Sequence, residues 1–162
     1  MSDRPRIILA VGLPGSGKSF YFRTIGVNPI STDAIRLQLA DDETDQRINS
    51  RVFATVRYLL QHRIELRRPE TYVDATNLTR RDRKAFIRMA HEHGYAIEAL
   101  LFDVPLAVCK ARNAARGRVV PDYVMDLMAA KFVPPSAEEG FDRVGQVNDN
   151  DFSQQPSRIA CA

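Results

Sequence analysis

Gly12-Leu13-Pro14-Gly15-Ser16-Gly17-Lys18-Ser19 is the most informative stretch of this 162-residue sequence. It fits the pattern G-x-x-x-x-G-K-[ST], a loop in which backbone N–H groups surround phosphate oxygens. The apolar, β-branched run Arg6–Val11 before it predicts a buried strand, and residues 20–25 after it can continue as a helix. Strand, loop and helix start therefore follow one another in the order that a phosphate-binding loop requires.

The residue types of this loop suit a nucleoside triphosphate with its magnesium ion. Glycines allow backbone conformations that are closed to residues with a Cβ atom, so that N–H groups can turn towards the phosphates. The helix start behind the loop adds a partial positive charge. Lys18 would reach the β- and γ-phosphates, and the Ser19 hydroxyl would ligate Mg²⁺. The residues of the loop expected to bind ATP are Gly12, Pro14, Gly15, Ser16, Gly17, Lys18 and Ser19.

Length and composition indicate one globular domain. With 44% hydrophobic and 27% charged residues the chain can bury a proper core, and no apolar run approaches the roughly 18 residues that span a bilayer. The sequence leads straight into the first strand with no room for a signal peptide, and Cys109 and Cys161 indicate no disulfide framework. We therefore expect a cytoplasmic protein with no membrane partner.

The net charge of +3 comes from 23 basic and 20 acidic residues, and 19 of the basic residues are arginines. Arginine is the better bidentate partner of phosphate, so this ratio favours a polyanionic partner. The arginine codons of a GC-rich genome would explain the same ratio.

Predicted strands and helices alternate along the chain, which indicates an α/β domain with the P-loop NTPase or kinase fold. We expect a mainly parallel, five-stranded sheet flanked by helices, with a lid segment, over residues 1–148. The polar residues 149–162 are expected to form a mobile tail. Strands are predicted near 6–11, 30, 71–74, 95–102 and 141–148, helices near 34–39, 44–66, 79–94, 105–116 and 122–132, and a loop at 134–140.

Polar segments follow the predicted second and third strands, at the strand ends where parallel sheets bind ligands. In Ser31-Thr32-Asp33, Asp33 would accept the proton of a hydroxyl that attacks the γ-phosphate, or it would cap the next helix. Ser31 or Thr32 could take the capping role instead. Arg36 follows one turn later on the same face, where it would grip an anionic group of the acceptor or remain a solvated surface residue.

The segment after the third strand is Asp74-Ala75-Thr76-Asn77. Asp74 stands where a Walker-B acid holds Mg²⁺, directly or through water. A buried carboxylate without a cation would be costly, which favours this role over a structural one.

A lid is predicted from the arginines of the fifth helix. Arg112 and Arg116 are four residues apart on one helix face, and the stretch 117–121 then breaks the helix. A mobile segment that carries arginines onto the phosphates is typical of kinases. Two solvated surface arginines are the alternative.

Together these motifs resemble the kinase domain of polynucleotide 5′-kinases. The sequence is similar to the phage end-healing kinase, and it resembles the kinase module of the bacterial RNA-repair kinase–phosphatase more strongly. The resemblance covers about residues 6–147. The motifs that carry it are the phosphate loop, Ser31-Thr32-Asp33-x-x-Arg36, residues 40–46, Asp74-Ala-Thr-Asn77, Phe102-Asp-Val-Pro105, Arg112-Asn-x-x-Arg116-Gly and Glu139-Gly140-Phe141.

The resemblance implies transfer of the ATP γ-phosphate to a 5′-hydroxyl end of RNA or DNA. Lys18 and Ser19 would serve the phosphates and Mg²⁺, and Asp74 would support the metal. Asp33 would be the general base, and Arg36 would contact the acceptor phosphate next to the reacting nucleoside. The lid arginines Arg116 and Arg112 would act on ATP.

Two alternatives remain open at this point. A P-loop kinase could phosphorylate a hydroxyl of a small molecule such as a sugar, nucleoside or antibiotic. A non-catalytic nucleotide-dependent module is the other alternative, but such a module needs no base at Asp33. Relatives of the polynucleotide kinases carry phosphatase or ligase modules on the same chain. We therefore expect either that end healing here needs separate partner proteins or that the substrate differs.

Overall fold

The structure, a computed structural model, describes residues 4–117 and 120–148. Its centre is one sheet of five parallel strands in the order β2-β3-β1-β4-β5. The predicted parallel sheet is confirmed, and each predicted strand agrees with the observed one to within two residues; β5 lies at one edge of the sheet. The strands are β1 Arg6–Val11, β2 Ile30–Ser31, β3 Glu70–Asp74, β4 Ala96–Phe102 and β5 Arg143–Val147.

Helices connect the strands and cover both faces of the sheet. Successive strand residues point to opposite faces, so Ile7 and Leu9 of β1 pack in the larger core with residues of α3 and α4, whereas Ala10 packs with Phe22 of α1. Among the described residues the helices are α1 Lys18–Thr24, α2 Thr32–Ala40, α3 Asn49–Glu65, α4 Arg80–Glu92, α5 Leu106–Ala114 and α6 Asp122–Lys131, with short 3₁₀ helices at Gln46–Ile48 and Ala137–Glu139.

A third apolar cluster lies beneath the phosphate loop. Leu13 of the loop and Leu78 after β3 pack there against Cys109 of α5 and Met125 of α6. Cys109 is completely buried in this cluster. This cluster fixes the loop against α5 and α6, the two helices on either side of the predicted lid.

The helix predicted over 44–66 is wrong at its start. Asp42 accepts a hydrogen bond from the Thr44 N–H (2.8 Å), and Asp45 accepts one from the Arg47 N–H (3.0 Å). Such local bonds compete with helix formation, so a turn and a 3₁₀ helix precede α3, which begins at Asn49. The segment 134–140, predicted as a loop, likewise contains a 3₁₀ helix with its own capping box.

The start of α4 is confirmed as predicted. Thr79 accepts a hydrogen bond from the Asp82 N–H, and the Asp82 carboxylate accepts one from the Thr79 N–H, which is a capping box. The helix ends two residues before Gly94, which has a positive φ of 73°.

Parts of two predictions lie outside the described residues. The predicted break in the lid includes residues 118 and 119, and the predicted tail covers 149–162. Across residues 4–117 and 120–148, each helix is too short or too polar to cross a membrane.

Candidate active site

A cleft of about 410 Å³ lies at the carboxyl ends of β1, β2 and β3. The phosphate loop forms one part of its wall, and the residues that end β3 form another. The remaining wall comes from α2, the 3₁₀ helix and start of α3, the end of α5, and α6. Of the predicted ATP-, acceptor- and metal-binding residues, those that line the cleft are Pro14, Gly15, Gly17, Lys18, Ser19, Asp33, Arg36, Asp74 and Arg116; Gly12, Ser16 and Arg112 do not line it.

The phosphate loop depends on two glycines with left-handed backbone. Gly15 has a φ of 81°, and a Cβ atom there would come within 2.4 Å of the Cys109 carbonyl oxygen. Gly17 has a φ of 94° and is the N-terminal cap of α1. Only glycine adopts these conformations at little cost, so the loop keeps its shape because these positions lack a side chain.

Lys18 points back into the loop, where its side chain is buried. Its Nζ donates hydrogen bonds to the carbonyl oxygens of Gly12 (3.0 Å) and Leu13 (2.8 Å). Burial lowers the pKa of Lys18 to about 8, although the negative charge of Asp74 opposes that shift. An ammonium in such surroundings gains from an anionic neighbour, so the loop is suited to phosphate groups.

Ser19 and Asp74 meet at the floor of the cleft. The Ser19 hydroxyl donates a 2.6 Å hydrogen bond to Asp74 Oδ2, which joins the first turn of α1 to the end of β3. A hydroxyl and a carboxylate are the hard oxygen ligands that Mg²⁺ prefers. The two residues therefore fit a magnesium ion beside the phosphate loop.

Asp33 and Arg36 form an ion pair at the start of α2. Arg36 Nη1 lies 2.9 Å from Asp33 Oδ1, and Nη2 donates to Asn49 Oδ1 at 2.8 Å. The Arg36 side chain is only 5% exposed, whereas that of Asp33 is 48% exposed. Ser31 caps the helix, because its Oγ accepts the Ala34 N–H. The capping alternative is thus taken by Ser31, and Arg36 is a buried rather than a solvated residue.

Arg116 and Arg112 differ in their relation to the cleft. Arg116 lies just after α5 and lines the cleft, where its charge acts on Lys18. Arg112 lies one turn earlier and is partly buried outside the cleft lining formed by the described residues. Asn113, which follows Arg112 in the sequence, accepts a hydrogen bond from the Val120 N–H at Oδ1 (3.0 Å) and donates one from Nδ2 to the Val120 carbonyl oxygen (2.7 Å). These two bonds join the end of α5 to the segment just before α6. The roles of both arginines stay predictions.

Arg83 is a buried residue that the sequence analysis missed. It is fully buried, donates to the carbonyl oxygens of Asn77 and Val133 (both 2.9 Å), and pairs with Glu139 through two bonds of 2.8 and 2.6 Å. Its burial could have been predicted from its position four residues before Ile87, which places Arg83 on the apolar face of α4. Arg83 thereby holds the segment after β3 that carries Asn77 into the cleft.

Part of the wall of the cleft is apolar. Phe53 of α3 and Val124 and Met128 of α6 line it. Its polar groups include Gln46 and Lys131. This part of the wall could not be predicted from the sequence, because Gln46 falls within the predicted continuous helix and because apolar residues on α3 and α6 fit a helix core equally well. This apolar part of the wall can receive a flat or apolar group.

Comparisons with known proteins find relatives among kinases. The chain is 26% identical over 153 residues to the bifunctional polynucleotide phosphatase/kinase of Schizosaccharomyces pombe, a match that covers 90% of this chain and 34% of that protein. It resembles a chain of the Pnkp1/Rnl/Hen1 RNA repair complex with a TM-score of 0.67 and 21% identity, over 79% of this chain and 44% of that one. The chain therefore spans less than half the length of both.

A further structural neighbour is a gluconokinase from Sinorhizobium meliloti 1021, with a TM-score of 0.57 and 21% identity over 88% of this chain and 82% of that one. At these identities the structural likenesses show a shared fold, which is that of P-loop kinases. The family described as AAA domain matches residues 7–135, which is most of the sequence. The chain therefore belongs to the AAA domain family and has the fold of P-loop kinases.

Proposed function

We propose that this protein transfers the γ-phosphate of ATP to the 5′-hydroxyl end of RNA or DNA. The observation that supports this most is the Asp33–Arg36 pair, in which a half-exposed carboxylate and a buried guanidinium lie side by side in the same cleft as the phosphate loop. A kinase for such an end needs a base for the hydroxyl and a cation for the neighbouring phosphate. The pair offers both at a separation of 2.9 Å.

In the proposed reaction the 5′-oxygen of the acceptor bonds to the γ-phosphorus. The bond from that phosphorus to the β–γ bridging oxygen breaks, and ADP leaves. Asp33 accepts the hydroxyl proton, while Lys18 and Arg116 stabilise the charge on the transferred group. When bound at Ser19 and Asp74, Mg²⁺ supplies positive charge to the β- and γ-phosphates.

The acceptor is held on the other side of Asp33. Arg36 is fixed by three partners, which are Asp33, Asn49 and the Glu43 carbonyl, so its positive charge is held in place beside Asp33, where it would attract an anionic group of the acceptor. The apolar wall of Phe53, Val124 and Met128 would receive the base of the terminal nucleoside.

A second candidate is a kinase for a small acidic alcohol. Arginine binds a carboxylate with the same bidentate geometry as a phosphate, so Arg36 would suit either. The gluconokinase that shares this fold acts on such a compound, a sugar acid. The two candidates differ in the anionic group on the acceptor, and this difference can be measured.

The test compares acceptors in the presence of ATP labelled on its γ-phosphate. The acceptors are a short 5′-hydroxyl oligonucleotide, a nucleoside 3′-phosphate, the same nucleoside without phosphate, and gluconate. We expect label on the first two, little on the bare nucleoside, and none on gluconate. Arg36→Ala should raise KM for the phosphorylated acceptors while the Kd for ATP stays the same. Equal use of phosphorylated and bare nucleosides, with Arg36→Ala neutral, would contradict the proposal.

A further inference from the structure

We infer that the outer face of α4 binds the phosphate backbone of a single-stranded nucleic acid, beyond the end that enters the cleft. This inference rests on the proposed function and extends it from the terminal nucleotide to the rest of the strand. It concerns a groove of about 670 Å³ beside α4 that the reaction itself does not use. We call this groove the α4 groove; its cationic residues are Arg80, Arg81, Lys84 and Arg88.

The α4 groove has an excess of positive charge. All four cationic side chains belong to exposed residues. Two acidic residues also line the groove, but Glu139 is paired with the buried Arg83, and Glu92 lies 3.8 Å from Arg88. Most of the positive charge is therefore available to a partner, and the partner that complements it is a polyanion.

The placement of these cations works against the stability of α4. Arg80 and Arg81 occupy its first turn, where the partial positive charge of a helix N-terminus disfavours cations. Lys84 is four residues from both Arg80 and Arg88, a spacing at which like charges repel. A bound polyanion would relieve both costs, so this charge pattern fits a binding face better than a merely solvated one.

The first turn of α4 lies between the cleft and the α4 groove. Asp82, in the first turn of α4, lines the cleft, and its neighbours Arg80 and Arg81 line the groove. A strand whose 5′ end lies at Asp33 can therefore leave the cleft over the first turn of α4 and continue along the helix. From Arg81 to Arg88 the helix rises by about 10 Å, which is room for more than one phosphate.

The walls and floor of the groove suit a single strand. Ile87 is buried beneath the cations, whereas the ring of His91, whose Nε2 is 2.9 Å from the Gly140 carbonyl oxygen, belongs to an exposed residue near the C-terminal end of α4, where an unpaired base can stack on it. Grooves that bind single strands combine backbone-tracking cations with surfaces that unpaired bases can contact. An acidic protein segment would use the cations but not the base contacts.

The test uses the triple variant Arg81→Gln/Lys84→Gln/Arg88→Gln in the full chain. A matched control is Arg23→Gln/Arg68→Gln/Arg143→Gln, which removes three exposed charges that line neither the cleft nor the α4 groove. Binding of a fluorescent 20-nucleotide single strand is followed by anisotropy at several salt concentrations. We expect the α4 variant to bind the strand on the order of tenfold more weakly than wild type. The slope of log K against log salt concentration should be smaller in magnitude by about 2, because each lost phosphate contact accounts for roughly 0.7. The control should lose much less.

A kinase assay on acceptors of two lengths completes the test. The α4 variant should have a higher KM for the 20-nucleotide strand and an unchanged kcat/KM for a nucleoside 3′-phosphate, which cannot reach the groove. If wild type phosphorylates oligonucleotides and the α4 variant matches it at both lengths, this inference fails alone. If wild type phosphorylates no oligonucleotide, the proposed function fails with it. Poly-glutamate that displaces the strand as well as unlabelled strand does would also overturn the inference.

Discussion

At the scale of single residues, Asp33 and Arg36 form an ion pair in which the arginine side chain is buried and the aspartate side chain is half-exposed. Arg36 is buried because Asp33, Asn49 and the Glu43 carbonyl all bond its guanidinium. Asp33 stays half-exposed because Ser31, rather than Asp33, caps α2. A carboxylate that is held by an arginine yet open to the cleft is suited to receive a proton from an incoming hydroxyl.

Asp33→Asn should lower kcat roughly 10²–10⁴-fold, which is the usual contribution of a positioned base. The asparagine keeps an oxygen for Arg36, so ATP affinity and folding should change little. The matched control is Asp41→Asn at the other end of α2, where the left-handed backbone (φ 55°) tolerates asparagine. Single-turnover rates with saturating ATP make the measurement. A loss below about tenfold for Asp33→Asn would argue for a structural role.

Lys18 predicts a pH dependence of nucleotide binding. Its pKa is lowered to about 8 by burial, and bound phosphates would raise it by favouring the charged ammonium. Binding above pH 8 should therefore take up a proton, and ATP affinity should fall as the pH rises through that value. Calorimetry at pH 9 in two buffers with different ionisation heats measures the uptake. The Lys18→Met protein is the control, and it should show weaker binding without that proton.

The same shift affects stability with a definite sign. Between pH 8 and the unperturbed lysine pKa of 10.5, the unfolded chain binds more protons than the folded one. The contribution of Lys18 to the free energy of unfolding therefore rises with pH across this window. Below pH 8 the buried ammonium lowers stability by a constant amount.

Among helices and strands, boundaries could be predicted where the signal is local. Thr79 with Asp82 three residues on is a capping-box pattern that marks the start of α4, and the β-branched run Arg6–Val11 marks β1. The start of α3 could not be predicted in this way, because side-chain bonds of Asp42 and Asp45 to the backbone compete with the apolar period.

The link between α4 and the second 3₁₀ helix predicts a large effect on stability. Arg83 and Glu139 form a fully buried ion pair, with side chains 0% and 4% exposed. Glu139→Ala leaves the Arg83 charge without its partner, which typically costs about 3–5 kcal/mol. Urea unfolding should show this loss, whereas Glu138→Ala, an exposed neighbour in the same 3₁₀ helix, should change stability by under about 0.5 kcal/mol. Equal midpoints for the two variants would mean that the pair contributes no net stability.

In the whole molecule, the site is assembled from segments far apart in the chain, and this limits prediction from sequence. The phosphate loop, Asp33 and Asp74 could be predicted because each directly follows a strand of a parallel sheet. The strand order β2-β3-β1-β4-β5 and the pairing of Arg83 with Glu139 could not, because they depend on contacts between distant segments. Glu139, for example, is 56 residues from Arg83. The period of apolar residues in the sequence predicts which face of a helix is buried, but it does not predict which distant residue packs against that face.

A ligand that bridges these segments should stabilise the entire domain. ATP with Mg²⁺ would contact the phosphate loop, Asp74 and Arg116 together, and at 100 times its Kd it would add about 2.7 kcal/mol to the free energy of unfolding. For a domain of this size that corresponds to a rise in Tm of roughly 5–10 °C. Thermal unfolding with ATP and Mg²⁺, with ATP and EDTA, and with no ligand measures the effect. The rise should shrink in EDTA.

The metal part of this prediction is tested by Asp74→Asn. The asparagine can still accept the 2.6 Å hydrogen bond from Ser19, so the join between α1 and β3 is kept, but the carboxylate charge that favours Mg²⁺ is lost. We expect the variant to fold and to gain nearly the same Tm increase in EDTA as in Mg²⁺. If ATP raises the Tm of the wild-type protein equally with and without Mg²⁺, the assignment of Ser19 and Asp74 as metal ligands is contradicted. If Asp74→Asn keeps the full Mg²⁺-dependent increase in Tm, the assignment is contradicted for Asp74 alone.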